Sequence, residues 1–400
     1  MLTLALLFAI SGPQATASNA ATQPSTDRLF QEAVDAQVRG DFQTAIEDYR
    51  AVLKAHPQSV EALVNLGAAL AHVGKFNDAI TEYKLALPLL KDKTGVEFNI
   101  GLAYHQEGDW QHAQEAFAPL ENEHPGDVRV AILLGDADVH LGANAEAVAM
   151  MAPLEAANAQ NADFDFVYGS ALAASGKARD GVERLEKSAQ LSNAPDSYVL
   201  AGSTLLGLGD YERARHDLDE ALKLNPDLPA DIYSLDGEAR DKNGDLTEAE
   251  TAFREALKRD PDNFKANLYI GAMLYKRRDM DQAKPYLDKA VRLNPKDTMA
   301  NYEDAMLKST SGDTAGAAAQ LEEVEKADPK WLEPHVELAT LYYKLHRPKD
   351  GARERAIVDQ ITAEQQKQGP KQCRGSRLFI RLGNMQSLVR GDVLKDLDDA

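Results

Sequence analysis

The sequence has almost no cysteine: Cys373 is the only one in 400 residues. Neither an internal disulfide nor a thiolate metal cluster can form from it, so stability has to come from packing. Aromatic residues are scarce, at 6%. With alanine and leucine abundant, that scarcity favours helix over sheet and makes all-α the expected fold class. Cations are outnumbered, 44 Lys and Arg against 64 Asp and Glu, for a formal net charge of −20. This argues against nucleic acid as a partner, because phosphate contacts need a clustered excess of positive charge. The N-terminal apolar run from Leu2 to Ile10 falls well short of the roughly 18 to 20 residues that span a bilayer.

Motifs that carry catalysis are missing as well. The chain has no HExxH, no GxxxxGK[ST], no GxSxG and no paired CxxC, so the expectation is no enzyme, no cofactor and no metal. His72, His105 and His140 stand at positions 13, 12 and 13 of successive segments and are expected to face solvent. Asp231, Glu238 and Asp241 share one helix face, which is expected to be a charged, solvated one.

What the chain does contain is one phrase written many times. GDFQTAIEDYRAVLKAHP occupies residues 40 to 57, and its first position recurs at Gly40, Gly74, Gly108, Gly142, Gly176, Gly209, Gly244, Arg278, Gly312 and His346, at intervals of 33 to 35 residues. Pro57, Pro125, Pro226, Pro261, Pro295 and Pro329 each follow their own anchor by 17 residues. Seven residues before the anchors stand Gly67, Gly101, Gly135, Gly169, Gly202, Gly237 and Gly271, with Ala33, Ala305 and Ala339 in the other three segments. Alanine or glycine also follows each anchor by five residues, from Ala45 to Gly351. Small residues at fixed places let two helices approach closely.

Each part of the phrase has a mechanical reading. Gly40 ends one helix in the left-handed conformation, and Asp41 caps the free N–H groups of the next. Phe42, Ala45, Ile46 and Tyr49 form an apolar stripe at steps of 3 and 4 residues, and Pro57 stops that second helix.

The pattern resembles the tetratricopeptide repeat, a 34-residue helix-turn-helix unit with the consensus W-x2-L-G-x2-Y…A-x3-F…P. Leu66, Gly67, Ala79, Tyr83 and Ala86 carry the resemblance in the second repeat, and Gly101, Tyr104, Ala113, Phe117 and Pro125 in the third. The consensus tryptophan is missing throughout. The resemblance implies a right-handed superhelical solenoid, divided here into ten repeats at 26–59, 60–93, 94–127, 128–161, 162–194, 195–229, 230–263, 264–297, 298–331 and 332–365.

The family likeness also implies a concave groove, lined by the first helix of each repeat, that takes protein or peptide segments. Positions 2, 5, 9 and 12 of that helix share one face by their spacing. Position 5 reads Phe30, Val64, Phe98, Ile132, Phe166, Val199, Ser234, Leu268, Tyr302 and Val336; packing between helices and contact with a ligand both account for this apolar column. The contact candidates are Phe98, Phe166, Leu268, Tyr275, Tyr302 and Tyr343. Lys265 and Lys276 beside the tyrosines suit a segment of acidic character. A carboxylate clamp is poorly supported, since Asn65 and Asn99 stand without basic partners.

The ends are of a different kind. Residues 1–17 read as an export signal, with the small-residue pattern Ala15-Thr16-Ala17 and a flexible linker at 18–25. The expected location is periplasmic or secreted. No Lys or Arg precedes the apolar run, so a cytoplasmic adaptor with a misassigned start stays open. The tail, 366–400, carries six basic residues and no acid from Gln366 to Arg390, then four aspartates and one lysine. Docking on the solenoid, a disordered extension and contact with a partner or membrane all stay open for it. The expected function is a non-enzymatic scaffold for polypeptide partners. The alternative is an accessory arm in a multiprotein envelope complex for polysaccharide synthesis or export, with catalysis on a separate chain. Oligomeric state is not legible.

Overall fold

The structure, a computed structural model, describes residues 26–368. The expected signal and linker, and the tail from residue 369 onward with Cys373, lie outside the described residues. Among the described residues there are twenty α-helices and no strand. They fall into two compact units that divide after Ser192.

The first unit contains α1 (Thr26–Val38) and α2 (Phe42–Ala55), α3 (Val60–His72) and α4 (Phe76–Ala86), α5 (Thr94–Glu107) and α6 (Trp110–Glu123), α7 (Val128–Leu141) and α8 (Asn144–Met151), and α9 (Ala162–Ala174) and α10 (Ala178–Ser192). The second contains α11 (Pro195–Leu208) and α12 (Tyr211–Leu224), α13 (Ala230–Asn243) and α14 (Leu246–Arg259), α15 (Phe264–Lys276) and α16 (Met280–Leu293), α17 (Thr298–Thr310) and α18 (Thr314–Ala327), and α19 (Leu332–Lys344) and α20 (Pro348–Gln368). Within each unit the two helices of a pair pack on each other, and the second packs on the first helix of the next pair. This is the all-α, helix-pair solenoid architecture expected from the repeat.

The connections form as the residues dictate. Gly40 closes α1 at φ +77°, and the Asp41 carboxylate accepts from the Thr44 N–H at 3.2 Å to open α2. Asp109, Asp210, Asp279 and Asp313 each accept in the same way from the N–H three residues on. Where the anchor is not glycine the backbone keeps the same shape. Arg278 sits at φ +66° and His346 at φ +57°, a left-handed conformation that costs a residue with a Cβ about 1–2 kcal/mol. The short α8 ends where Pro153 begins a 3-10 turn, Ala152–Leu154, because proline has no N–H to continue the ladder.

Packing within a pair rests on the small residues of its first helix. A Cβ on Gly101 would lie 2.7 Å from the Phe117 ring, and one on Gly237 equally close to Phe253. Gly271 faces Leu287 at the same distance. The expected backbone-to-backbone approach occurs at Gly181, whose Cβ would meet the Ala173 nitrogen at 2.6 Å. At Gly67, Gly101 and Gly237 of the first helices the space is instead filled by an aromatic ring from the second: Tyr83, Phe117 and Phe253 are fully buried there.

Charged groups also enter the packing. On α13, Asp236 is buried, and Nε of Arg240 donates to both of its oxygens at 2.8 and 2.9 Å. The same guanidinium reaches Asp219 of α12. Burial pushes the Asp236 carboxyl up to about 6, with Arg240 acting in the opposite sense.

Three outcomes follow from these contacts. Arg278→Gly and His346→Gly should each stabilise the protein by about 1 kcal/mol in urea unfolding, by removing left-handed strain. Arg240→Met should destabilise it by about 3–5 kcal/mol, because a buried carboxylate loses its partner. As pH rises from about 4 to about 6, the unfolded chain releases the Asp236 proton before the folded one does. Stability from this group therefore falls across that window and levels off above it, and Asp236→Asn should flatten that part of the pH profile.

Candidate functional site

The first helices of the pairs present positions 2, 5, 9 and 12 on one face, and burial shows which of these remain open. At position 5, Val64, Phe98, Ile132, Val199, Ser234 and Leu268 are no more than 6% exposed. Phe30, Phe166 and Tyr302 are half-buried, while Val336 is 43% exposed. The apolar column is therefore mainly packing. Phe98 meets Phe117 edge-on at 5.7 Å with the Arg129 guanidinium 5.5 Å from its centroid. Leu268 belongs to the core around α13–α16. Neither offers its side chain to a partner, contrary to expectation, because the neighbouring helices already cover that position. Phe166 is partly covered in the same manner by the α7–α9 core.

The face opens at α17 and α19. All four of its positions on α19, Glu333, Val336, Thr340 and Tyr343, are exposed, and on α17 Met299 is exposed too. Tyr302 is half-buried against Trp331, ring centroids 4.8 Å apart and tilted by 42°. Tyr275 is half-buried, and its hydroxyl lies 3.1 Å from that of Thr310. Tyr343 is exposed but lies on α20: its ring fills the space over Gly351, and Arg355 stacks on it at 4.6 Å. The tyrosines expected to act together thus fall in two places, with Tyr275 and Tyr302 in one and Tyr343 in the other.

The electrostatics of this face differ from the expected basic setting. Lys265 is held in an ion pair by the buried Glu238. Lys276 is exposed, and its charge acts on Glu303. Burial raises the Tyr302 hydroxyl to about 12, and the charges of Glu337, Glu303 and Glu333 push it in the same direction. Acidic side chains therefore lie around Tyr302, with Lys276 acting on one of them.

Several other residues read as solvated are not, although His72 is. Glu238 is 3% exposed, and Asp231 accepts from the Asn263 amide at 2.6 Å. His72 is exposed and stacks on Phe42 at 4.4 Å. His105 is buried, its Nε2 2.7 Å from Asp136, and His140 stacks on Trp110 at 3.9 Å. These rings join one pair to the next instead of lining a face. Asn65 and Asn99 are each 1% exposed, so neither can grip a partner's carboxylate.

An open cleft of about 610 Å³ is lined by Pro285, Asp288, Val291, Arg292, Asp304 and Lys308. Its Lys308 is already joined to Asp304 at 2.8 Å, and no nucleophile with an adjacent base stands among these residues. The site residues missed in the sequence are Trp331, Glu303, Glu333 and Glu337. Position 2 of the last first helix gives Glu333, while the others lie between the periodic positions.

Comparison with known proteins agrees with this architecture. Family models described as tetratricopeptide repeat match residues 30–92 and 234–298, and 195–228. These are models of a repeat, not of a catalytic domain. The chain is 25% identical over 282 residues to a CTR9 homolog of Arabidopsis thaliana, covering 66% of this chain and 25% of that protein. It is 28% identical over 206 residues to cellulose synthase operon protein C of Xanthomonas axonopodis, covering 48% of this chain and 12% of that protein. The chain thus spans a quarter or less of the length of these relatives. Among solved structures it is similar to a tetratricopeptide repeat protein from Parabacteroides merdae, with a TM-score of 0.48, 18% identity, and coverage of 59% of this chain and 93% of that one. With matching repeat models and a described fold of paired helices joined by Gly-Asp caps, the chain contains tetratricopeptide repeats.

Proposed function

We propose that this chain is a protein–protein interaction scaffold without enzymatic activity of its own, taking extended polypeptide segments on the open face of α17 and α19. The observation that carries the reading is the half-buried Tyr302 on Trp331, beside the exposed Met299 and Val336. At position 5 the same face is closed by packing at Val64, Phe98, Ile132, Val199, Ser234 and Leu268. Aromatic rings with an apolar body and a polar tip make strong anchors for a partner. The carboxylates around Tyr302 favour a basic segment, since complementary charge speeds encounter and suppresses wrong partners.

A second reading makes the chain an accessory arm in an exported complex for envelope polysaccharide, with catalysis on a separate chain. Its support is the likeness to cellulose synthase operon protein C, together with the signal-like residues 1–17. Both readings use the same face and differ in where the partner resides.

Lysine- and arginine-rich peptides should bind more tightly than acidic peptides of equal length, and raised salt should weaken them. Tyr275→Ala with Tyr302→Ala should reduce that binding at least about tenfold while helix content by circular dichroism is unchanged. Binding that ignores both the charge of the peptide and the two substitutions would remove this face from consideration. Crosslinking with mass spectrometry in the native cell would separate envelope partners from cytoplasmic ones.

A further inference from the structure

Three helices of the second unit bring an imidazole and two carboxylates to one point. His335 of α19 is 1% exposed and Glu354 of α20 is 0% exposed. Their facing atoms, Nδ1 and Oε2, are 2.8 Å apart. Glu325 of α18 places Oε1 4.0 Å from the same Nδ1. The ligand atoms of all three lie within 4.8 Å of one another.

The surroundings orient this set. His335 Nε2 lies 3.1 Å from the Pro329 carbonyl, which can only accept, so Nε2 carries a proton and Nδ1 is the atom turned inward. The other Glu354 oxygen, Oε1, accepts from Arg353 Nη2 at 2.9 Å and Nε at 3.1 Å, leaving Oε2 directed at Nδ1. A ring nitrogen fixed by a backbone carbonyl and a carboxylate fixed from behind are the supports that metal-binding side chains use. Glu325 is the part-exposed member, at 24% of its side chain, and gives a route from solvent.

We propose that His335 Nδ1, Glu354 Oε2 and Glu325 Oε1 form a binding site for a divalent transition-metal cation, Zn2+ being the probe of choice, with water as the fourth ligand. One imidazole and two carboxylates are within the ligand chemistry of Zn2+, at about 2.0–2.2 Å for each ligand. A tetrahedral ion at those lengths sets its donors about 3.4 Å apart. The 2.8 and 4.0 Å separations bracket that spacing, and the part-exposed Glu325 can adjust its rotamer. The proton now shared between Nδ1 and Oε2 leaves as the cation enters, so binding releases it to solvent. Since the ligands come from α18, α19 and α20, the ion joins the last two pairs and its binding adds to their stability.

The test uses the full chain, stripped with chelator and titrated with Zn2+ alone by calorimetry in two buffers of different ionisation enthalpy, with thermal unfolding in parallel. The expected result is one equivalent bound with proton release, a rise in Tm, and at least a tenfold loss of affinity in Glu325→Gln. His335→Gln should abolish binding; if that variant does not fold, Glu325→Gln decides. Absence of saturable Zn2+ binding to the wild-type chain, or equal affinity in Glu325→Gln, overturns the proposal and leaves the cluster as a hydrogen-bonded histidine–glutamate pair.

Discussion

The fold depends on one contact made repeatedly: a glycine or other small residue on the first helix of a pair, and a large side chain of the second helix filling the space over it. At Gly67, Gly101 and Gly237 that side chain is an aromatic ring, and at Gly202 and Gly271 a leucine. No Cβ fits in the gap, so the two helices meet at close range and the ring is fully enclosed. The caps reinforce the arrangement. The left-handed turn and the aspartate that follows set where the second helix begins, and thereby which of its residues arrives over the glycine.

A core made from such contacts is local. Each pair satisfies its apolar faces against its neighbours, and most of the column at position 5 is consumed in that packing. Among the described residues an open surface remains at Val336, with Tyr302 only half covered. The same economy draws polar residues inward: Asp236, Glu238, Asp136 and His105 are all buried between pairs. His105 and Asp136 pair with each other and Glu238 with Lys265 across helices, while Asp236 takes Arg240 of its own helix, because an unpaired charge in that environment costs several kcal/mol.

Sequence periodicity made the helix pairs, the glycine turns and the aspartate caps legible, since all of them are decided within a few residues and recur along the chain. Even the departures at Arg278 and His346 could be placed by register, and both keep the left-handed turn. The face was less legible. Phe98 and Tyr302 occupy the same repeat position, yet one is enclosed and the other half open, because cover comes from residues outside their own helix. Trp331, which backs Tyr302, lies outside the recurring phrase. Lys265 appeared available until Glu238, 27 residues earlier, proved to hold it.

By itself the sequence determined the secondary structure, the pairing of the helices and the small positions between them, because these follow from backbone conformation and from steric limits on adjacent helices. Tertiary structure alone decided which face residues stay accessible, which acids and histidines are buried, and that Glu325, His335 and Glu354 converge. Those properties arise from contacts between side chains on different helices, whose distances no spacing along the chain encodes.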